Sequence, residues 1–232
     1  SLLALTDGTY VVPLATAQDH KRAYDDDKGP NTGGMGVYSP VPFVTNEELS
    51  QMIAIEQRVV DQLKKEGINY SGCLYGGFML TKDGPKVLNA RFGDPETQVV
   101  LPRLQGDLVS ILMACDNGTL RHQQVSWSDT VAVSVVLASA GYPGSYEKGK
   151  EITGIEAAQQ LEGVSVYHAG TAQTEDGKIV TAGGRVLNVT ALAPTFEEAR
   201  ARAYEACDLI NFEGKQLRHD IGLKALQGRP KK

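Results

Sequence analysis

The spacing of apolar residues changes period several times along this chain, and each change marks an element. Residues 1–6 and 10–15 alternate or run apolar on either side of Thr6-Asp7-Gly8-Thr9, which predicts a β-hairpin. Residues 46–66 switch to helical spacing. Leu49, Met52, Ile53, Val60 and Leu63 form one stripe, Thr45 and Glu48 stand at capping-box spacing, and Gly67 supplies the stop. Residues 70–80 and 85–92 read as two strands joined by Thr81-Lys82-Asp83-Gly84, and residues 95–117 as mostly helical with a break near Gly106. Residues 131–139 are β-branched and continuously apolar, as in a strand covered on both faces, and Gly141-Tyr142-Pro143-Gly144 turns the chain after them. Residues 164–192 hold three or four short strands punctuated by Glu175-Asp176-Gly177 and Gly183-Gly184. A second capped helix starts at Thr195, with Glu198 at its third position and a stripe of Phe196, Ala199, Ala203, Cys207 and Ile210.

This alternation of antiparallel-type strands and helices predicts an α+β fold. Residues 17–42 stand apart as a long polar segment. Loops of that length inside a compact domain are usually functional or disordered. A second polar stretch, 121–128, separates helix from strand and puts a boundary between about 120 and 130. Before it lies a unit with a long functional loop, residues 1–125. After it lies a small β-rich unit closed by a helix, residues 126–232.

Composition narrows the classes without choosing among them. The chain has 232 residues, 41% apolar and 22% charged, and its 23 basic and 28 acidic residues give a net charge of −5. That balance, with no basic stripe, argues against nucleic acid as a partner. The 3 cysteines, Cys73, Cys115 and Cys207, are far apart and lack metal spacing, so they read as buried free thiols in a reducing compartment. No apolar run approaches the ~18 residues of a membrane span. No signal peptide is visible, and the expected location is the cytoplasm. The opening residues run from a strand straight into a turn, which reads as the middle of a fold and hence as a fragment.

The densest chemistry lies in Asn89-Ala90-Arg91-Phe92-Gly93-Asp94-Pro95-Glu96-Thr97-Gln98. A strand is expected to end at Phe92, with a tight turn at Gly93. Asp94 would be the N-cap and Pro95 the first helical residue, aiming free N–H groups at whatever Arg91 faces. Arg91 offers a planar fork suited to phosphate or carboxylate; read structurally, it would pair with Asp94 or Glu96. Asn89 offers a neutral oxygen to Mg²⁺. A second cluster runs from Gln18-Asp19-His20-Lys21-Arg22 to Gly36. Gly29, Gly33, Gly34 and Gly36 allow close backbone approach, and Asn31-Thr32 add donors and acceptors. Asp25 and Asp27 alternate, so in extended chain they face one way and could hold a primary amine or a metal shell; the plain alternative is a mobile surface loop with solvated acids. His20 reads as a structural hydrogen-bonder. His168-Ala169-Gly170-Thr171 and Gly183-Gly184-Arg185-Val186 each set a polar group beside small residues at a strand end.

Taken together these motifs resemble glycinamide ribonucleotide synthetase, the phosphoribosylamine–glycine ligase family of the ATP-grasp superfamily. The resemblance rests on Arg91-Phe92-Gly93-Asp94-Pro95-Glu96 and on the runs 18–22, 29–36, 168–171, 183–186 and Asp220-Ile221-Gly222, all in family order. It implies an ATP-grasp half-domain, an antiparallel sheet with helices, followed by a β-rich C-terminal domain. It implies that glycine's carboxylate attacks the ATP γ-phosphate, and that the amine of 5-phosphoribosylamine then displaces phosphate from glycyl phosphate. ATP, glycine and 5-phosphoribosylamine are the expected partners, with Mg²⁺ or Mn²⁺ as cofactor. On this resemblance Arg91, Asp94 and Asp27 are the candidate catalytic residues. Lys21, Asp25, Asn31, Thr32, Gly33, Gly34, Gly93, Pro95, Glu96 and Arg185 are the candidate substrate- and nucleotide-binding residues, and Asn89 is the metal ligand. The sequence says little about oligomeric state; a monomer is the expectation.

Two departures from the family pattern stand out. The family's N-terminal half, with most of the ATP lid, has no counterpart here, so the chain alone is expected not to turn over. The family also carries a Glu-Phe pair before its metal-site asparagine, whereas Val87-Leu88 runs directly into Asn89. Losing two residues keeps strand alternation but shortens the connection by about 6–7 Å. Either this is a true deletion that impairs metal binding, or the molecule carries residues that this sequence omits. The rival readings are a non-catalytic nucleotide- or phosphosugar-binding remnant and a related ATP-grasp carboxylase, the latter fitting the C-terminal strands but not Gly93-Asp94-Pro95-Glu96.

Overall fold

The structure, a computed structural model, describes residues 1–79, the backbone of 88 and 89, and 91–228. Its smaller sheet has the order Val11–Pro13, Leu2–Thr6, Gly72–Gly76, Leu88–Asn89, every pair antiparallel. The expected hairpin is there, and its first strand is buried at every position. Period two divides that strand between two cores. Leu3 and Leu5 face Ile111, Ala114 and Cys115 of the helix Leu108–Asp116, whereas Ala4 faces Val60 of the helix Asn46–Lys65. That second helix starts as its sequence predicts. The Thr45 hydroxyl accepts from the Glu48 N–H, and the Thr45 N–H donates to the Glu48 carboxylate at 3.0 Å.

The larger sheet has six strands. Its main path runs Val164–His168, Arg185–Ala193, Val131–Ser139, Gly36–Ser39, Gln18–Asp19, and Lys215–Gln216 pairs with the end of Val131–Ser139. Val131–Ser139 has the expected bounds and is buried along nearly all its length, with Phe196–Leu209 packed over it. That helix is capped by Thr195 and buries Ala199, Ala203, Cys207 and Ile210, as its stripe implies. The stretch 120–130 contains a 3-10 turn, Leu120–His122, and a short strand, Ser126–Trp127. The larger sheet draws strands from both sides of that stretch.

Several expected elements change. The polar segment 17–42 is not a loop. It holds the strands Gln18–Asp19, Arg22–Tyr24, Lys28–Asn31 and Gly36–Ser39, because its backbone finds partners in the hairpin it makes with itself and in Val131–Ser139. Asp94 is not an N-cap. The helix begins at Thr97, Glu96 occupies the cap position without a side-chain bond, and 94–96 form a turn. The remainder of 95–117 is a 3-10 turn, Leu101–Arg103, a strand, Leu104–Gln105, and the helix Leu108–Asp116 capped by Asp107. Of the two strands foreseen at 70–80 and 85–92, Gly72–Gly76 and Leu88–Asn89 are present, and the second stops short of Phe92. The connecting turn 81–84 and Val87 lie outside the described residues. All three cysteines are buried and free, and burial pushes the Cys73 and Cys207 thiols up to about 12. Among the described residues no helix is long and apolar enough to cross a membrane.

One core residue contradicts its surroundings. Glu56, on the inner face of Asn46–Lys65, is fully buried, and among the described residues neither carboxylate oxygen has a hydrogen-bond partner. Burial raises it from 4.5 to about 8, so the fold accepts its neutral form. The contribution is therefore intact below pH 4.5 and lost as pH rises towards 8. Chemical denaturation at pH 5 and pH 8 should show a stability loss on the order of a few kcal/mol in the parent. Glu56→Leu should flatten that difference; an unchanged pH slope in the variant would place its source elsewhere.

Candidate active site

Three motifs far apart in sequence meet at one edge of the larger sheet. Gly36–Ser39 pairs with Val131–Ser139, and this brings the Thr32-Gly33-Gly34 approach alongside the Arg185 end of Arg185–Ala193. Arg185 donates from Nη1 to the carbonyls of Gly33 (3.1 Å) and Asp94 (2.9 Å), and from Nη2 to the Asp94 carboxylate (3.0 Å). The Tyr142 hydroxyl accepts from the Gly33 N–H at 3.0 Å. Thr32 shapes the bend by donating to the Lys21 carbonyl and accepting from the Gly34 N–H. Gly34 has no room for a side chain. A Cβ there would lie 2.6 Å from Pro95 Cδ and 2.7 Å from an Asp19 carboxylate oxygen, and its φ of +123° favours glycine as well.

Beside this junction sits a charged cluster. Asp19 is buried and ion-paired with Lys21, although neither oxygen has a hydrogen-bond partner of regular geometry. Burial, then the nearby Glu96 charge, raise its carboxyl to about 6 against the pull of Lys21. Burial works against the Lys21 ammonium, yet Asp19 outweighs it and the net shift is upward. Glu96 is buried and accepts from the Tyr75 hydroxyl at 2.7 Å. The Arg91 guanidinium lies 5.0 Å above the Tyr75 ring and bonds to the carbonyl of Phe92. Arg91 thus pairs with neither Asp94 nor Glu96, the partners a structural reading gave it, because Arg185 and Tyr75 hold those carboxylates.

The remaining expected residues divide. Pro95 lines the junction, and Gly93 packs on the Glu96 carboxylate, which a Cβ would approach to 2.5 Å. Asn31 is exposed at the end of Lys28–Asn31. Asp25 and Asp27 do not form an extended pair facing one way. They stand in a 3-10 turn, Asp25–Asp27, in which Asp26 and Asp27 have positive φ. Asp25 accepts from the His219 N–H at 2.7 Å. Asp27 gives one oxygen to Arg218 and the other to Lys224, so both of its oxygens are already ion-paired. His20 is the structural hydrogen-bonder it was read to be. It is buried with Nδ1 on the Gly36 carbonyl, and burial, then Arg218, lower it to about 4.

No group of His, Cys, Asp and Glu side chains among the described residues could hold a metal ion. Asn89 pairs through its backbone with Tyr75, and its side chain lies outside what the structure describes. The one candidate metal ligand, Asn89, thus falls outside the described side chains. Sequence reasoning passed over Tyr142, Tyr75 and Arg218. Tyr142 sat inside a turn whose glycines and proline explained it, and only the i, i+2 spacing of Arg218 and Asp220 hinted at a pair.

Fold and site together define an ATP-grasp protein. The biotin carboxylase domain of the Hydrogenobacter thermophilus 2-oxoglutarate carboxylase shares the fold at a TM-score of 0.61 and 17% identity, over 93% of this chain and 46% of that one. The chain belongs to the phosphoribosylglycinamide synthetase family: residues 1–97 match the family's ATP-grasp (A) domain and residues 132–224 its C domain. It is 50% identical to the phosphoribosylamine–glycine ligase of Caldanaerobacter subterraneus over 95% of this chain and 53% of that protein. It is 51% identical to the chicken trifunctional purine biosynthetic protein adenosine-3 over 97% of this chain and 23% of that one. The crystal structure of the Thermotoga maritima phosphoribosylamine–glycine ligase matches at a TM-score of 0.84 and 38% identity, over 94% of this chain and 54% of that one. The chain spans about half the length of the bacterial relatives it matches.

The Arg185–Asp94 contact joins partly exposed groups, so its energetic value is small. Arg185→Ala should lower stability by about 1 kcal/mol or less, read by denaturant midpoint. A loss beyond about 3 kcal/mol, the scale of a broken buried pair, would make Arg185 a structural residue.

Proposed function

We propose that the complete protein carrying this chain joins glycine to 5-phosphoribosylamine at the expense of ATP. Glycine's carboxylate oxygen attacks the γ-phosphorus and ADP leaves. The amine of phosphoribosylamine then attacks the carbonyl carbon of glycyl phosphate, and inorganic phosphate leaves with the carboxylate oxygen, giving glycinamide ribonucleotide. The observation that carries the reading is the convergence of Arg185, Asp94, Pro95 and the Gly33-Gly34 backbone at one junction, in a chain of this family.

Each step moves negative charge between phosphate oxygens and a carboxylate, so the site needs cations and positioning more than a protein nucleophile. Arg91 is exposed and oriented by the Tyr75 face, a posture suited to an incoming carboxylate or phosphate. Lys21, fixed by Asp19, supplies a second cation beside it. Asp94 orients Arg185, and the Gly33-Gly34 backbone borders the space they share. Asp25 and Asp27 act at one remove from the substrates, since Arg218, His219 and Lys224 hold them. A divalent ion, Mg²⁺ or Mn²⁺, would neutralise the nucleotide phosphates, with Asn89 as its candidate ligand in this chain. We place the division of labour at 1–125 for the ATP-grasp part and 126–232 for the C-terminal part, in a cytoplasmic monomer with no nucleic-acid or membrane partner.

Arg91→Ala should lower kcat/KM by orders of magnitude at an unchanged melting midpoint, measured as ADP release dependent on both glycine and phosphoribosylamine. Normal activity in the folded fraction would remove Arg91 from the site. A second reading, a non-catalytic nucleotide- or phosphosugar-binding remnant, has one observation in its favour: Val87-Leu88 runs directly into Asn89, where the family carries a Glu-Phe pair. It predicts nucleotide binding by calorimetry with no turnover.

A further inference from the structure

The turn Asp25-Asp26-Asp27 is gripped by a segment from the far end of the chain. Arg218 is fully buried. It donates Nε and Nη2 to the two oxygens of Asp220 (2.7 and 2.6 Å), and Nη1 to Asp27 (3.0 Å) and to the Arg22 carbonyl (3.0 Å). Asp220 also accepts the Asp26 N–H at 3.0 Å, Asp25 accepts the His219 N–H, and Lys224 takes the second oxygen of Asp27 at 2.5 Å. The charges balance, two cations against Asp27 and Asp220. Burial works against the Asp220 carboxylate, yet Arg218 holds it down at about 2.

The hairpin this grip fixes is the base of the glycine approach. Arg22–Tyr24 pairs with Lys28–Asn31, and Arg22 Nη1 reaches the Gly29 carbonyl at 2.7 Å. Arg218 therefore touches one strand of the hairpin through the Arg22 carbonyl and its turn through Asp27. Asp26 and Asp27 sit at φ of 57° and 53°, conformations that persist only where the surroundings over-determine them. The chain then runs from Asn31 through Thr32 to Gly33 and Gly34, against Arg185 and Pro95. Ile221, next to Asp220, packs on Gly36, where a Cβ would meet it at 2.7 Å. Both ends of the 29–36 segment are thus set by Arg218–Ile221.

We propose that Arg218 is a positioning residue for the ligase reaction: it holds the Asp25–Asp27 turn and, through it, the Gly33-Gly34 backbone against Arg185. It touches no substrate. The role rests on the ligase reading above. A lysine at 218 keeps the charge but loses the fork that grips Asp220 and Asp27 at once.

The test uses the complete natural protein and Arg218→Lys, with three readouts: melting midpoint, hydrogen exchange of the Gly29–Gly36 amides, and kinetics corrected for the folded fraction. Displacing a positioned group by about 1 Å costs on the order of 100-fold. The expected result is therefore a loss of about 10- to 100-fold in kcat/KM for phosphoribosylamine. Exchange at Gly29–Gly36 should quicken, and the KM for ATP should stay unchanged. If Arg218→Lys does not fold, Lys224→Gln loosens Asp27 from its more exposed side and carries the same readouts. Parent kinetics in the folded fraction with unaltered exchange at Gly29–Gly36 would overturn the role and leave Arg218 a purely structural ion pair. A parent protein that does not turn over brings down the ligase reading and this role with it. A parent that turns over beside an unaffected variant brings down this role alone.

Discussion

The pairing of Gly36–Ser39 with Val131–Ser139 is the constraint on which the rest depends. It joins an early segment to the central strand of the later half, in the register Gly36 to Val135 through Ser39 to Ala132. Gly36 makes that register possible, since a Cβ there would lie 2.7 Å from Ile221 and 2.8 Å from the Ser134 carbonyl. A slip of one residue would turn Val37 and Tyr38, both fully buried, to the wrong faces. With the register fixed, the approach to Gly36 passes Arg185, on the strand across Val131–Ser139, and the 94–96 turn. The site follows from the ladder rather than from any one motif.

Charge is arranged in two tiers around that junction. Arg185 and Asp94 are partly exposed, and their contact adds little to stability. Arg218 is fully buried and Asp220 mostly covered, both are multiply bonded, and removing either would strand its partner. The proposed charged substrates would use both, movable cations at the surface and fixed ones behind the backbone that presents them. Glu56 belongs to neither tier; it is a buried carboxyl without a hydrogen-bond partner among the described residues.

Local signals were legible in the sequence, and signals that depend on distant partners were not. Thr45 with Glu48 and Thr195 with Glu198 announce their helices because a cap is satisfied within one turn. Residues 131–139 announce a covered strand because all but Ser134 and Ser139 are apolar. Residues 17–42 read as a loop because short polar strands carry no period, and the one that joins the core, Gly36–Ser39, pairs with residues 132–135. Asp94 read as a cap because Arg185, 91 residues later, was invisible as its partner. Asp27 read as a free carboxylate because Arg218 stands 191 residues further on. Motif resemblance filled part of this gap. It named candidate residues for the site, but it did not say which of their atoms were already bonded.

The central claim is that this junction serves an acyl-phosphate ligation, and the fate of one oxygen tests it. Glycine labelled with ¹⁸O in its carboxylate would be supplied to the complete protein with ATP and phosphoribosylamine, and the released inorganic phosphate weighed by mass spectrometry. The account predicts one ¹⁸O per phosphate, carried over from the carboxylate that attacked the γ-phosphorus. Unlabelled phosphate, released at the same rate as the product, would contradict it.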